Sequence, residues 1–171
     1  PETQKRSPPN ERRRIEAQLE LSSTVFDQSP DGIVIIDSRA RVISMNPAVT
    51  SITGYFEHEL MGRPISLLRP SRHGTNTYRA LRDALLHQGH WEGEMRSRRK
   101  NGEEFLARLC ISAVRRVGES PDQYVIIVND VTELRRKDEY IQRLAFHDEL
   151  TGLPNRALLT DRLNHRIALA Q

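Results

Sequence analysis

The sequence predicts an α+β fold in which a five-stranded antiparallel sheet carries short helices on one face and has a helix at each end. Two observations predict it. Apolar runs of strand length come in two groups, at residues 33–46 and 91–130, and helical pieces broken by Gly and Pro lie between the groups. Tight turns within each group favour antiparallel pairing, and the intervening helices can then cover one face of the sheet.

Residues 1–20 are assigned to a linker and the beginning of an N-terminal helix. Prolines and a scarcity of apolar side chains in residues 1–10 are typical of a linker. Beyond them, Ile15, Leu19 and Phe26 give the helix a ragged apolar face. That face is suited to packing on a sheet or on a second copy of the chain.

A first hairpin and a helix follow a turn at residues 29–32. The two strands are predicted at residues 33–37 and 41–46. Pro47 ends the second strand and begins a helix, and Gly54 ends that helix because glycine tolerates the left-handed backbone of a C-cap. The hairpin therefore leads directly into the helical layer.

The helical layer continues as far as residue 87. Gly and Pro residues break residues 57–73 into short pieces, an arrangement that often walls a cavity. Residues 77–87 then repeat apolar side chains along one helical face, as Tyr78, Leu81 and Leu85. We expect this face to point at the sheet.

Three longer strands are predicted at residues 91–98, 104–114 and 123–130, with a strong hairpin signal at Asn101-Gly102. A helix without breakers follows at residues 132–147. Apolar side chains in that helix fall at heptad seam positions, as Val131, Leu134, Ile141 and Ala145. The spacing favours a dimeric helical connector over a solitary surface helix.

Charge and composition exclude several classes of protein. The 26 basic residues are offset by 23 acidic ones, and the basic clusters have no interleaved aromatic side chains, so nucleic-acid binding is not expected. The longest apolar run, residues 32–36, is far shorter than the roughly 20 residues that span a bilayer. The single cysteine, Cys110, excludes an internal disulfide. We expect a soluble, cytoplasmic piece of a longer protein, which segments outside this sequence could anchor to the inner membrane.

A series of short motifs resembles a PAS sensor domain, bounded at residues 21–131. The motifs are Ser29-Pro30-Asp31-Gly32-Ile33, Asn46-Pro47-Ala48, Ile52-Thr53-Gly54-Tyr55, Gly62-Arg63-Pro64, Arg99-Lys100-Asn101-Gly102 and Asp130-Val131-Thr132-Glu133. The resemblance implies a PAS fold with a cavity between the sheet and the helical layer. In this family the ligand is haem, flavin, a small metabolite or nothing, so the family alone does not define the signal.

An apolar cavity is predicted between sheet and helices. Its expected lining residues are Ile33, Ile35, Ile43, Leu81, Leu85, Trp91, Met95, Leu109, Ile111 and Ile126. Most of these side chains would occur in any packed PAS core, so a collapsed core without a ligand is the alternative.

The cofactor is left undefined by the sequence. Trp91 resembles a residue of flavin-binding PAS domains, but Ser97 stands where an Asn is expected, and the amide is lost. His73, His87 and His90 are the histidines closest to a position where haem-binding members carry an axial ligand, and none matches it. Cys110 lies in a strand, whereas light-sensing members of the cysteine-adduct type carry their cysteine in the helical layer. Neither flavin nor haem is favoured.

The string of residues 148–156, Asp-Glu-Leu-Thr-Gly-Leu-Pro-Asn-Arg, resembles the opening of a GGDEF domain, the diguanylate cyclase family. Residues 148–171 would be its truncated start, and the resemblance implies nucleotide contacts from Asn155 and Asn164, the latter often Asp in the family. The metal- and phosphate-binding loop of that family lies beyond Gln171, so no enzyme activity is expected here. The longer string from residue 147 resembles proteins in which GGDEF precedes an EAL phosphodiesterase, which implies a whole protein that makes or degrades cyclic dimeric GMP.

The sequence predicts a sensory module that binds a small-molecule signal or dimerises, and that passes the signal through its C-terminal helix to the GGDEF or GGDEF-EAL output. Five residues at this junction are predicted to transmit it: Asp130, Thr132, Glu133, Leu134 and Ile141. The expected partners are a second copy of the chain and the downstream domains. The alternative is a ligand-free dimerisation module that sets the cyclase geometry constitutively.

Overall fold

A computed structural model describes residues 9–69, 75–114 and 121–146, together with residues 148, 153, 155 and 159. The elements in chain order are α1 (Pro9–Gln28), β1 (Gly32–Asp37), β2 (Val42–Met45), α2 (Pro47–Thr53), α3 (Glu57–Leu60), a 3₁₀ helix (Ile65–Leu68), α4 (Thr75–Gln88), β3 (His90–Arg98), β4 (Glu104–Val114), β5 (Gln123–Asp130) and α5 (Thr132–Phe146). The chain divides into two compact units between Asp130 and Val131.

The five strands form one antiparallel sheet in the order β2-β1-β5-β4-β3. The predicted α+β class and the five-stranded antiparallel sheet are confirmed. β5 is the last strand in the sequence, yet it lies in the middle of the sheet, between β1 and β4. The strand that leads to α5 is therefore held by hydrogen bonds on both sides.

One face of the sheet is buried. In β1 the buried residues are Gly32, Val34 and Ile36, which alternate with partly exposed ones, as expected for a strand with one face on a core. Val34 lies opposite Ile126 on β5, and both belong to the buried cluster. Gly32 is the place where α2 comes closest, since a Cβ there would lie 3.2 Å from Cγ2 of Val49.

Asn46 joins the first elements of the fold. Its side chain is 1% exposed. Its Oδ1 accepts the Ile33 amide at 2.8 Å, and its Nδ2 donates to the carbonyls of Phe26 and Asp31 at 3.0 and 2.9 Å. The end of α1, the turn after it and the start of β1 are thereby fastened to the residue that precedes α2. Since both ends of the amide are satisfied, this polar group can be buried without an unpaired atom.

Candidate functional site

A cavity lies on the buried face of the sheet, below α4 and the 3₁₀ helix. Its volume is about 230 Å³. The wall is mostly apolar and also includes some polar side chains. The lining residues are Ile36, Asp37, Ser38, Ala40, Ile65, Leu68, Arg69, Tyr78, Leu81, Leu85, Met95, Arg96, Ser97, Phe105, Leu109, Ile111, Tyr124, Ile126 and Val128.

Six of the residues expected in the cavity wall lie there: Leu81, Leu85, Met95, Leu109, Ile111 and Ile126. Leu81 and Leu85 are one helical turn apart on α4, so they present the same face to the sheet. Leu109 and Ile111 are two residues apart on β4, and the strand period of two places them on one face.

The placement of Ile33, Ile35 and Ile43 in the cavity wall is wrong. The buried face of β1 carries Val34 and Ile36, so Ile33 and Ile35 point to the opposite face. Ile43 is 39% exposed on β2. The register of β1 and β2 also shifts between Ile35 and Ile36.

Trp91 is also absent from the cavity wall, for a different reason. It shares the buried face of β3 with Gly93 and Met95, and it packs partly buried against the core. Its indole occupies the space over Gly93, since a Cβ on Gly93 would lie 2.6 Å from Cζ2 of Trp91. The ring therefore lies along its own strand and does not reach the cavity, so the prediction that Trp91 lines the cavity is wrong.

The wall also contains residues that were not predicted. Phe105 and Tyr124 belong to it, and the strand period of two could have identified both. Phe105 lies four residues before Leu109 on β4, and Tyr124 lies two residues before Ile126 on β5, so each shares a face with a predicted lining residue. No such periodicity points to Arg69, whose guanidinium carbon lies 3.9 Å from the centroid of the Tyr78 ring. Burial raises the pKa of Tyr78, and the positive charge of Arg69 opposes this in part.

Neither haem nor flavin fits this cavity. Its volume of about 230 Å³ is below the roughly 300–1,000 Å³ of sites for drug-sized ligands. His87 and His90 do not line it, and His73 lies outside the described residues. Cys110 lies between Leu109 and Ile111 on β4, so it points away from the cavity. In the described part of the chain, no group of three or more His, Cys, Asp or Glu side chains could hold a metal ion.

A network of charges connects the cavity wall to the end of β5. Arg99, at the β3–β4 hairpin, donates to the carbonyl of Ile52 at the end of α2 and forms an ion pair with Asp130. The two side chains of this pair are 21% and 25% exposed. The guanidinium also stacks on Phe105, with its carbon 4.4 Å from the ring centroid. Because Phe105 lines the cavity, a single side chain separates the cavity from Arg99.

Lys100 attaches the same hairpin to the helical layer. Its ammonium lies 2.7 and 2.8 Å from the two carboxylate oxygens of Glu59 on α3, and its amide donates to the carbonyl of Thr53 at 2.9 Å. The Lys100 side chain, followed by the Phe56 amide, lowers the pKa of Glu59 below its ordinary value of 4.5. Gly54, with φ of 76°, ends α2 at this point. The hairpin thus satisfies carbonyls that the end of α2 leaves without partners.

The predicted transmission residues begin at Asp130 and continue into α5. Glu133 forms an ion pair with Arg136 at 2.9 Å, and Thr132 is the first residue of the helix. Leu134 and Ile141 are 52% and 61% exposed. The role of these two side chains in signal transmission and in a dimer seam stays a prediction.

Of the two predicted nucleotide contacts, Asn155 is described and Asn164 lies outside the described residues. The Nδ2 of Asn155 donates to the carbonyl of Ala145 at 2.8 Å, and its amide donates to that of Phe146 at 2.9 Å. Asn155 therefore caps the last carbonyls of α5.

None of the helices in the described part of the chain combines the length and apolar character that a membrane crossing requires.

Residues 20–131 match the family described as the PAS fold. The chain belongs to this family. A solved structure titled as an RNA-binding Light-Oxygen-Voltage receptor has a similar fold, with a TM-score of 0.68 and 23% identity over 85% of this chain and 40% of that one. At this identity the likeness concerns the fold alone.

Curated relatives are signalling proteins. Over 152 residues the chain is 29% identical to the cyclic di-GMP phosphodiesterase PdeR of Escherichia coli (strain K12), which covers 87% of this chain and 23% of that protein. It is also 29% identical over 121 residues to the sensor histidine kinase TmoS of Ectopseudomonas mendocina, covering 70% of this chain and 12% of TmoS. The chain therefore spans less than a quarter of either relative, and it is a PAS sensory domain similar to parts of signalling proteins.

Proposed function

We propose that this PAS domain is the ligand-responsive input of a protein that turns over cyclic di-GMP. A small molecule in the cavity disturbs the ion pair between Arg99 and Asp130, and the disturbance passes along the chain into α5. The output is a GGDEF or GGDEF-EAL enzyme downstream, and the PAS domain itself supplies no catalytic group.

The observation that carries this proposal is the position of Phe105. Its ring lines the cavity on one side and is covered by the Arg99 guanidinium on the other. Arg99 binds Asp130, the last residue of β5, and α5 begins only two residues later. A ligand that displaces the Phe105 ring therefore disturbs an ion pair at the point where the chain leaves the sheet.

Two observations support the cyclic di-GMP output. The string at residues 148–156 resembles the opening of a GGDEF domain. PdeR is named as a cyclic di-GMP phosphodiesterase, and its similarity covers 87% of this chain. In a GGDEF cyclase, two nucleotides held by two subunits must face each other before they react, so the geometry between subunits controls the rate. The exposed seam of α5 is suited to set that geometry in a homodimer.

The test is a cavity-filling substitution in the whole protein. Leu81→Trp places a large ring in the cavity, whereas Leu86→Trp is the matched control, because Leu86 lies on the same helix but is 56% exposed and outside the cavity. We expect L81W to change the rate of cyclic di-GMP turnover several-fold and L86W to leave it unchanged. If both folded variants turn over cyclic di-GMP at the parent rate, the domain is the ligand-free dimerisation module instead.

A further inference from the structure

We propose that the cavity takes an amphipathic carboxylate, with an alkyl chain of about six to ten carbons in the cavity and its anionic end on the guanidinium of Arg69. The proposal rests on the function inferred above, since it names the class of ligand for the same site. Three properties of the cavity carry it: its apolar interior, its size and the charge of the residues at its edge.

The interior of the cavity is mostly apolar. Its walls are mostly aliphatic and aromatic side chains, which come from one helix and from the sheet. Examples are Leu81 and Leu85 on α4, Met95 on β3 and Ile111 on β4. Of the lining residues, those with charged or hydroxyl-bearing side chains are Asp37, Ser38, Arg69, Tyr78, Arg96, Ser97 and Tyr124. A ligand that fills such a space must itself be mostly apolar, because a buried polar group without a partner is costly.

The size of the cavity limits the ligand. A volume of about 230 Å³ is below the roughly 300–1,000 Å³ of sites for drug-sized ligands, so the part of the ligand inside the cavity must be small. A medium-length alkyl chain meets this limit, and it can extend through the opening with its polar end outside. The volume thus agrees with a slender alkyl chain whose polar end lies at the opening.

Arg69 supplies the charge. It follows the 3₁₀ helix directly, is solvent-exposed, and lies flat over the Tyr78 ring at 3.9 Å. Within the described part of the chain its guanidinium forms no ion pair with a carboxylate. A guanidinium stacked on an aromatic ring keeps its N–H groups at the edge, where they can bind both oxygens of a carboxylate.

The other charged residues of the lining are already engaged. Arg96 forms an ion pair with Glu104 at 3.7 Å. The Oδ1 of Asp37 accepts the amides of Arg39 and Arg41, both at 2.8 Å, so this carboxylate is bound by its own turn. Among the described lining residues, Arg69 is the arginine without an acidic partner, which favours an anionic end over a neutral or cationic one.

The experiment measures binding of octanoate, octanol and octylamine to the protein by isothermal titration at neutral pH, where octanoate is ionised. We expect octanoate to bind at least fivefold more tightly than octanol, and octylamine more weakly than either. Arg69→Gln should abolish the preference for octanoate and leave octanol binding unchanged. Arg63→Gln is the matched control, because Arg63 is an exposed arginine on the same segment that does not line the cavity; it should retain the preference.

The outcomes separate the ligand class from the function. If octanol binds the parent protein as tightly as octanoate, the carboxylate is overturned while ligand binding by the cavity stands. If R69Q weakens octanoate and octanol equally, Arg69 has only a structural role and its assignment to the carboxylate is overturned. If no compound of the series from hexanoate to decanoate, acid or alcohol, binds at all, then the proposed ligand class fails, and L81W decides whether the ligand-responsive function fails with it.

Discussion

Asn46 shows how much of this fold depends on one polar side chain. It is almost completely buried, and its side-chain amide has three backbone partners that belong to three different segments. An apolar residue of similar size would take the side-chain partner from the Ile33 amide and the Phe26 carbonyl, and would leave the Asp31 carbonyl with only its hydrogen bond from Ser29. Buried groups left in this state cost more than the hydrogen bonds themselves contribute.

We therefore predict that Asn46→Ala lowers the free energy of unfolding by about 3 kcal/mol. The matched control is Asn129→Ala, because Asn129 is exposed on β5 and its side chain donates to Asp31 at 2.6 Å; it should cost less than about 1 kcal/mol. Urea denaturation of both variants measures the difference. Equal losses for the two would show that Asn46 does not have the role that its hydrogen bonds indicate.

At the scale of elements, the β3–β4 hairpin connects the helical layer to the sheet. Arg99 reaches α2 and Asp130, and Lys100 reaches α3. A movement of either layer therefore changes the environment of the same two side chains. The charge pair Arg99–Asp130 is mostly shielded from water, so its loss leaves a carboxylate in a partly desolvated position.

We predict that Arg99→Gln destabilises the domain by about 2 kcal/mol, between the values for exposed and buried ion pairs, and removes most of the effect of L81W on cyclic di-GMP turnover. The second part is tested by a double-mutant cycle in the whole protein. Arg108→Gln is the control, because Arg108 does not line the cavity and its side chain, paired with Glu94, is 48% exposed. Additive effects of L81W and R99Q would mean that the cavity signals by another route.

The sequence predicts the elements well and the faces less well. The bounds of β4 and β5 agree with those expected, because Asn101-Gly102 and the loop before Gln123 delimit them. In β1, however, four apolar residues follow one another, from Ile33 to Ile36, so no alternation indicates which side chains are buried. The ion pair of Arg99 with Asp130 joins residues 31 apart, and stacking of Arg69 on Tyr78 depends on tertiary packing; neither has a local sequence signal.

At the scale of the whole molecule, the predicted seam of α5 is the surface on which a second copy would pack. The described part of α5 has no buried residue, and Leu134, Ile141 and Leu144 are among its exposed apolar side chains. An isolated helix of this length is only marginally stable in water, and most helices in proteins are stabilised by packing of their apolar face. A second copy of the chain covers such a seam when the two helices pack in parallel.

We predict that Leu134→Glu together with Ile141→Glu converts a dimer into a monomer, because like charges would face each other across the seam. Light scattering after size-exclusion chromatography measures the mass. Lys137→Glu is the control, since Lys137 lies outside the seam, and it should remain dimeric. A dimer that survives the double substitution would place the interface elsewhere.

The pairing of β5 with its neighbours changes before the strand ends. Residues Gln123 to Val128 pair with both β1 and β4, whereas Asn129 and Asp130 pair with β4 alone. Bending the chain at these last two residues breaks no hydrogen bond to β1. A change of direction at this exit is therefore opposed by the pairing with β4 and by the ion pair of Asp130 with Arg99, while the pairing of β5 with β1 stays intact.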